Sequence, residues 1–171
     1  VRVRFDTTLG TFTIELDAAR SPLSAENFLQ YVRDRHYDGT IFHRIVGNFV
    51  VQGGGFTVDG VEKPTRPAIP NESGNGLSNR RGTVAMARLE GAHSATSQFF
   101  VNLLDNHALD PSPSRWGYAV IGRVVEGLEI IDRIASVPTG AHKPFEQDAP
   151  LEPVVIQSAV VVEAAAVPAK P

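Results

Sequence analysis

An arginine and a glutamine stand inside a mainly apolar run, residues 42–56, that ends in three consecutive glycines: FHRIVGNFVVQGGGF. Desolvating a guanidinium without hydrogen bonds costs several kcal/mol or more, so Arg44 needs either a partner or a task. Strict alternation cannot place Phe49, Val50 and Gln52 on one face of a strand, so for all three to line one site the strand must bulge or end here. The glycines at 53–55 permit this, because glycine tolerates positive φ and close backbone approach. Arg44 is therefore the first candidate functional residue.

A second run, SQFFVN, has the alternation of a strand with two different faces. Side chains two apart share a face, which places Gln98, Phe100 and Asn102 on one side and Phe99 and Val101 on the other. This pattern predicts a barrel wall with core packing on one face and a mixed apolar and amide surface on the other.

Apolar periodicity predicts eight strands and two helices along the chain. An alternating pair, 1–5 and 11–16, is typical of a hairpin. Ser21 and Pro22 predict a helix start, with an N-cap and proline at the first helical position, and the helix runs to Arg35. A second helix is predicted over 128–135. Further strands are predicted at 83–86, 97–102, 117–125 and 154–162, with loops at 57–82, 88–96, 106–114 and 136–150.

Eight strands with helices in two places indicate a mainly β fold: a closed eight-stranded antiparallel barrel capped by two α-helices. Such a barrel is filled by side chains, so a ligand is expected on the outer wall. We assign residues 1–162 to one domain and 163–171 to a flexible Ala/Pro-rich tail without a core to join. A barrel that holds an apolar ligand inside, of lipocalin type, is an alternative, but the helices and the many Phe and Ile residues argue against it.

The bulk composition excludes several classes of function. The chain has 171 residues, a net charge of −3 and no cysteine. We therefore expect no nucleic-acid or membrane partner, no disulfide and no thiolate chemistry. The four histidines outside the run 42–56 lack the paired spacing of metal ligands, so no metal is expected. They are His36, His93, His107 and His142.

The compartment is a weaker expectation. The chain starts at Val1 rather than Met, lacks cysteine and ends in an Ala/Pro-rich segment. Together these features favour a periplasmic protein whose leader was removed, and a cytoplasmic location is the alternative.

Several residues have simpler interpretations. Arg44, taken alone, could form a structural salt bridge on a strand. His43 faces away from it by alternation, beside Ile41 and Ile45, and is expected to make one hydrogen bond without a catalytic role. Ser97 lacks a nucleophile setting, and no GK[ST] follows the glycines to make a phosphate loop.

FHRIVGNFVVQGGGF, followed by MAR and SATSQFF, resembles the cyclophilins, the peptidyl-prolyl cis-trans isomerases, in their bacterial form. The resemblance covers about Val3 to Val162. It implies an enzyme that rotates X-Pro bonds in unfolded or flexible polypeptides and assists folding, acting as a monomer without a cofactor. A peptide-binding chaperone module with incidental isomerase activity is the alternative.

The resemblance also implies a set of site residues. The catalytic positions are Arg44, Gln52 and Phe49. Ala87 and Arg88 would offer backbone groups to the peptide. The substrate-binding positions are Val50, Ala87, Arg88, Gln98, Phe100, Leu109 and Tyr118.

Two residues depart from the family pattern that this resemblance implies. Val50 stands where most members have methionine. The change removes a little apolar surface from the base of the groove, and we expect activity to survive it. Ala108 stands where an aromatic is usual, which removes one wall of the groove. Cyclophilins bind the cyclic peptide cyclosporin over this groove, so we expect cyclosporin to bind this chain only weakly.

Overall fold

Eight antiparallel strands form the larger sheet of the computed structural model, which describes residues 1–162. Their order in the sheet is β10-β1-β2-β7-β5-β6-β4-β3. A second sheet pairs β8 with β9. The strands are β1 (Arg2–Thr7), β2 (Gly10–Leu16), β3 (Arg44–Val46), β4 (Val50–Gly53), β5 (Thr83–Met86), β6 (Phe99–Asn102), β7 (Val120–Glu126), β8 (Thr139–His142), β9 (Phe145–Pro150) and β10 (Ile156–Val162). The helices are α1 (Pro22–Arg33), α2 (Leu128–Ala135) and one 3-10 turn (His107–Leu109).

The mainly β class and the two helices are confirmed, but closure of the barrel is not. Within residues 1–162, β3 and β10 are the outer strands of the sheet and share no ladder. The segment just before β3 does exchange backbone hydrogen bonds with the start of β10 and the residues before it. Phe42 N–H donates to Val154 O at 3.1 Å, and Ile156 N–H donates to Thr40 O at 2.7 Å. The predicted tail, 163–171, lies outside the described residues.

The prediction of a loop over 136–150 is wrong, because β8 and β9 form a hairpin there. Most of its side chains are exposed or half-buried, with Ala149 and Pro150 buried. A hairpin with little core contact gives no apolar alternation in the sequence, and its prolines suggest a loop. The hairpin packs beside β3.

Helix α1 begins at Pro22 as predicted, but Ser21 does not cap it. The Ser21 hydroxyl instead donates to Val120 O at 2.7 Å. The Glu72 carboxylate accepts from Ser24 N–H at 2.6 Å, a bond that a local sequence pattern cannot show because the partner lies 48 residues away. The helix buries its apolar face, including Phe28 and Val32.

Aromatic rings fill the interior of the sheet. Phe5, Phe12 and Phe99 are fully buried there. Phe5 stacks on Phe12 with centroids 5.0 Å apart, and Phe99 lies 5.5 Å from Phe5. The interior is therefore core, as predicted, and the outer wall remains for a ligand. In the described part of the chain, no helix is long and apolar enough to cross a membrane.

Candidate active site

The run 42–56 folds as two short strands joined by a tight turn, and the three glycines begin at the last residue of the second strand. The turn lies at residues 47–49, where Asn48 adopts a positive φ of 58°. In the β3–β4 pair, Arg44 lies opposite Gln52 and Val46 lies opposite Val50. The strand thus ends before Phe49 instead of bulging, and the turn brings that ring to the outer wall.

Neighbouring side chains in β4, β5 and β6 point to opposite faces of the sheet. Val51 and Phe99 belong to the interior core, whereas Val50 and Phe100 belong to a separate apolar cluster on the outer wall. Its buried members are Val50, Ala85, Ala87, Phe100 and Val120, and the partly buried residues packed on them are Phe49, Leu77, Leu109 and Tyr118. The outer wall therefore has its own small apolar floor, which the alternation of SQFFVN indicated.

Nine of the ten predicted site residues line one cavity of about 350 Å³ over this floor. They are Arg44, Phe49, Val50, Gln52, Ala87, Arg88, Phe100, Leu109 and Tyr118. The tenth, Gln98, lies beside the cavity, and Gln52 Nε2 donates to Gln98 Oε1 at 3.0 Å. The structure thus brings together residues from five separate stretches of the chain.

Arg44 stands at the edge of the groove, exposed to solvent. Its Nη1 donates to Gln52 Oε1 at 3.3 Å, and its guanidinium carbon lies 6.0 Å from the centroid of the Phe49 ring. Within residues 1–162 no carboxylate pairs with it. The structural salt bridge considered above is therefore absent from this part of the chain. The desolvation cost inferred from sequence does not arise in the free protein and would arise only when a ligand covers the guanidinium.

Arg88 and Ala87 contribute in different ways. The Arg88 guanidinium lies 4.5 Å from the Tyr118 ring centroid and donates to Leu89 O at 3.0 Å and Trp116 O at 3.2 Å, which braces the rim of the groove. The Ala87 N–H donates to Gln98 O at 3.0 Å. Of the Ala87 backbone groups, the carbonyl therefore remains for a ligand.

Close contacts require glycine at the end of β4 and just after it. A Cβ on Gly55 would lie 2.6 Å from Gln98 Cγ and 2.7 Å from its Nε2. A Cβ on Gly53 would lie 2.6 Å from Ile41 O. The missing side chain at 55 thus allows Gln98 to lie flat against the backbone and reach Gln52.

His43 is buried away from the groove, in agreement with the sequence, but the expected hydrogen bond is missing. Its ring packs against Phe56 at 4.7 Å and Phe145 at 5.3 Å between centroids, and Nδ1 has no partner in the described residues. Burial, reinforced by the nearby Arg44 charge, lowers the pKa of His43 to about 4. The ring is therefore neutral at physiological pH.

Ala108 is exposed in the 3-10 turn, next to Leu109. It does not line the cavity, whereas Leu109 does. The position is adjacent to the groove and open, with room for a larger side chain.

Sequence reasoning missed residues that support the floor from behind. Ala85, Leu77 and Val120 pack in the outer cluster. The alternation of TVAM gave a signal for Ala85, since its neighbours Val84 and Met86 point to the interior. Leu77 lies in a long irregular connection, where the sequence pattern gave no signal for its role.

A larger groove of about 690 Å³ lies beside this site, over β2, β5 and β7. None of the predicted site residues line it. No group of three or more histidines, cysteines or carboxylates in residues 1–162 is arranged to hold a metal ion.

Comparisons with known proteins identify the family of the chain. The family model described as cyclophilin type peptidyl-prolyl cis-trans isomerase/CLD matches residues 2–161. Peptidyl-prolyl cis-trans isomerase cyp18 of Streptomyces antibioticus is 50% identical over 163 residues, covering 94% of this chain and 98% of that protein. Peptidyl-prolyl cis-trans isomerase B of Escherichia coli strain K12 is 44% identical over 164 residues, covering 94% and 99%.

A crystal structure gives the same fold. It is that of a Cryptosporidium parvum cyclophilin type isomerase in the presence of the dipeptide Ala-Pro. It superposes with a TM-score of 0.78 at 24% identity, covering 96% of this chain and 100% of that one. The chain belongs to the cyclophilin-type peptidyl-prolyl cis-trans isomerase family.

Proposed function

We propose that this isomerase turns X-Pro bonds in the 350 Å³ groove, with Arg44 donating a hydrogen bond to the prolyl nitrogen. The observation that carries the proposal is the position of the guanidinium at the edge of an apolar floor, oriented by a neutral amide instead of a carboxylate. A carboxylate partner would neutralise the charge that the reaction needs.

The chemistry requires no covalent intermediate. Rotation about an X-Pro bond breaks amide resonance, with a barrier of about 18–20 kcal/mol. In the twisted state the prolyl nitrogen regains its lone pair, so a donor aimed at it binds the transition state more tightly than the planar ground state. Arginine has five N–H donors and does not lose its proton. Gln52 occupies one donor of Arg44, and within residues 1–162 the other donors remain for the substrate.

The apolar floor also favours the twisted state of the X-Pro bond over the planar one. The twisted amide is less polar than the planar one, so a water-poor surface favours it. Val50 and Phe100 are buried in the outer cluster, and Phe49 and Leu109 stand partly exposed on either side. We propose that the proline ring lies on Val50 and Phe100 between these walls, and that ligand binding removes water from Arg44.

The substrates that fit this site are proline-containing segments of unfolded or flexible polypeptides, whose isomerisation assists folding. The related Cryptosporidium parvum protein was crystallised in the presence of Ala-Pro, which is consistent with such a ligand. We propose that the Ala87 carbonyl accepts a hydrogen bond from the peptide backbone, since the Ala87 N–H already donates to Gln98 O, and that Gln52 and Gln98 also hold the peptide backbone. We further propose that the chain acts as a monomer.

The test is Arg44→Ala, assayed on a short X-Pro peptide. We expect kcat/KM to fall about 100-fold, equivalent to about 2.7 kcal/mol, with unchanged stability because the side chain is exposed. Arg33→Ala, on the exposed face of α1, is the matched control and should retain full activity. An unchanged rate in folded Arg44→Ala would overturn the mechanism.

The same variant separates catalysis from simple peptide binding. A chaperone module that only binds peptides would keep its ability to suppress aggregation of an unfolded client in Arg44→Ala, and the client's proline-limited refolding phase would not depend on Arg44. We expect that phase to slow with the loss of isomerase activity.

Two further properties remain proposals. We propose that the larger sheet closes into a barrel through the bonds of Phe42 to Val154 and Ile156 to Thr40. Slow hydrogen exchange at the Phe42 and Ile156 amides would support closure, and fast exchange would argue against it. A periplasmic location likewise stays a prediction, to be checked by cell fractionation.

A further inference from the structure

Three asparagine side chains form a head-to-tail chain of hydrogen bonds beneath the groove. Asn106 Nδ2 donates to Phe49 O at 2.9 Å and to Asn102 Oδ1 at 2.9 Å. Asn102 Nδ2 in turn donates to Asn79 Oδ1 at 3.0 Å. We refer to Asn79, Asn102 and Asn106 as the amide chain. One end of this chain thus holds the backbone of a predicted catalytic residue.

The other end of the amide chain holds two more walls of the groove. Asn79 Nδ2 donates to Leu109 O at 3.3 Å and to Tyr118 O at 3.2 Å. It also contacts Asp110 Oδ1 at 3.0 Å, and the Asn79 N–H donates to the same oxygen at 2.7 Å. A single chain of side chains therefore reaches the carbonyls of Phe49, Leu109 and Tyr118.

The amide chain is largely buried, and the side-chain N–H groups of its three members all donate to acceptors. Asn79 and Asn102 are completely buried, and Asn106 is partly buried. The second N–H of Asn102 donates to Thr83 Oγ1 at 3.0 Å. Asn102 and Asn79 each accept from the preceding amide and donate onward, and Asn106 donates both of its N–H groups, so turning any member over would place two donors or two acceptors face to face. Buried networks of this kind hold one arrangement, because an unsatisfied buried polar group is costly.

The walls that the amide chain joins are not held together by the larger sheet. Phe49 belongs to the turn before β4, Leu109 to the 3-10 turn, and Tyr118 to the segment before β7. By contrast, the floor residues Val50 and Phe100 lie in paired strands. The floor is fixed by the sheet. Backbone bonds from Leu103 N–H to Phe49 O and from Tyr118 N–H to Leu109 O, both 2.9 Å, anchor the walls locally, and the amide chain adds a side-chain connection between the Phe49 wall and the Leu109 and Tyr118 walls.

We propose that Asn79, Asn102 and Asn106 are positioning residues for isomerisation, which set the distance between the Phe49 and Leu109 walls. This inference rests on the groove being the site of catalysis. A groove with loose walls still offers its floor to a planar proline, but it excludes water less well and encloses the twisted amide less closely. Loss of the amide chain therefore lowers kcat more than it raises KM.

The experiment compares Asn106→Ala, Asn106→Asp and Asn27→Ala. Asn106 is the least buried member, so its variants are expected to fold. Aspartate keeps the shape of asparagine but lacks the two N–H donors. Asn27 is the matched control, because its Nδ2 donates to a loop carbonyl, Thr96 O at 2.8 Å, away from the groove walls.

For both Asn106 variants we expect kcat on a short X-Pro peptide to fall about tenfold, equivalent to about 1.4 kcal/mol, with KM changed less than twofold. Asn27→Ala should lose stability in urea without loss of kcat. An Asn106→Asp enzyme with normal kcat would show that shape, and not hydrogen-bond donation, matters, and would overturn the proposal. So would Asn106 variants that lose stability but keep their kcat.

The Arg44 variant distinguishes failure of this inference from failure of the proposed site. If Arg44→Ala is inactive and Asn106→Ala is normal, the groove is catalytic and the positioning role is refuted. If Arg44→Ala is fully active, the site itself is wrong, and the positioning role fails with it.

Discussion

Arg44 and Gln52 face each other across the β3–β4 pair, and Arg44 Nη1 donates to Gln52 Oε1 at 3.3 Å. The amide nitrogen of Gln52 donates onward to Gln98 Oε1 at 3.0 Å. Both ends of the Gln52 amide are thus engaged, which fixes its oxygen toward the guanidinium. The orientation of Arg44 therefore depends on the register of the β3–β4 pair and on Gln98, which lies 46 positions after Gln52 in the chain.

Gln52→Leu should therefore lower the isomerisation rate although it leaves Arg44 in place. Leucine fills the space but offers no acceptor, so the guanidinium loses its fixed direction. We expect kcat/KM to fall about tenfold, or about 1.4 kcal/mol, measured on a short X-Pro peptide. Gln157→Leu, an exposed glutamine on β10, is the control. Equal activity in both variants would show that Gln52 does not orient Arg44.

Gly55→Ala tests the support of Gln98. The added Cβ would lie 2.6 Å from Gln98 Cγ, so the glutamine must move and its bond to Gln52 should break. We expect a loss of about 1–3 kcal/mol in the free energy of unfolding and a several-fold lower rate. Gly74→Ala, where a Cβ meets no atom within 4 Å, should be neutral.

A double variant makes the Gly55 test sharper. Adding Gln98→Ala to Gly55→Ala removes the clash, so stability should recover while the rate stays low. Recovery of the rate together with stability would mean that Gln98 has no part in the site.

Ala108→Trp should tighten inhibition by cyclosporin. The position is exposed beside Leu109, and burying a large apolar side chain contributes about 1.5–3 kcal/mol, which corresponds to one to two orders of magnitude in Kd. The rate on a short peptide should change much less, because a small proline peptide reaches mainly Phe49, Phe100 and Leu109. Val160→Trp, on β10, is the control. Unchanged inhibition in a folded Ala108→Trp protein would show that residue 108 does not border the ligand.

His43 should make stability depend on pH. Its folded pKa of about 4 lies below the ordinary value of 6.5, so the unfolded chain binds more protons between these two values. Stability due to neutral His43 is then fully present above pH 6.5 and falls as the pH drops toward 4, by up to about 3 kcal/mol at 1.36 kcal/mol per pH unit.

The measurement is urea unfolding at pH 7.5 and 4.5 for the wild-type protein and for His43→Phe. Phenylalanine keeps the ring packing against Phe56 and Phe145 but cannot titrate, so it should remove part of the loss at pH 4.5. His36, whose pKa is also lowered by burial and by the Lys63 charge, remains in both proteins. An identical loss in the two proteins would exclude His43 as the titrating group.

Local patterns in the sequence predicted the parts of the fold whose contacts follow alternation. The opposite faces of Phe99 and Phe100 were predicted because neighbouring strand residues point apart. The site residues came from the family resemblance, and nine of the ten then met in one cavity.

What could not be predicted depends on distant partners. Glu72 caps a helix 48 residues earlier in the chain, and the β8–β9 hairpin forms with little apolar burial. The amide chain joins Asn79 to Asn102 and Asn106, polar residues that looked like ordinary loop and strand-end positions. The exposure of Arg44 was also hidden, because the apolar letters around it belong to the opposite face and to the turn.

The two apolar clusters on opposite faces of β4 and β6 allow thermal stability and isomerisation activity to be changed separately. Val51 and Phe99 serve the interior, and their direct neighbours Val50 and Phe100 serve the groove. Substitutions at inward positions should change the rate at which the protein unfolds on heating. Substitutions at outward positions should change its preference among X-Pro substrates. Directed evolution can therefore retune substrate preference at residues 50 and 100 while residues 51 and 99 are left untouched.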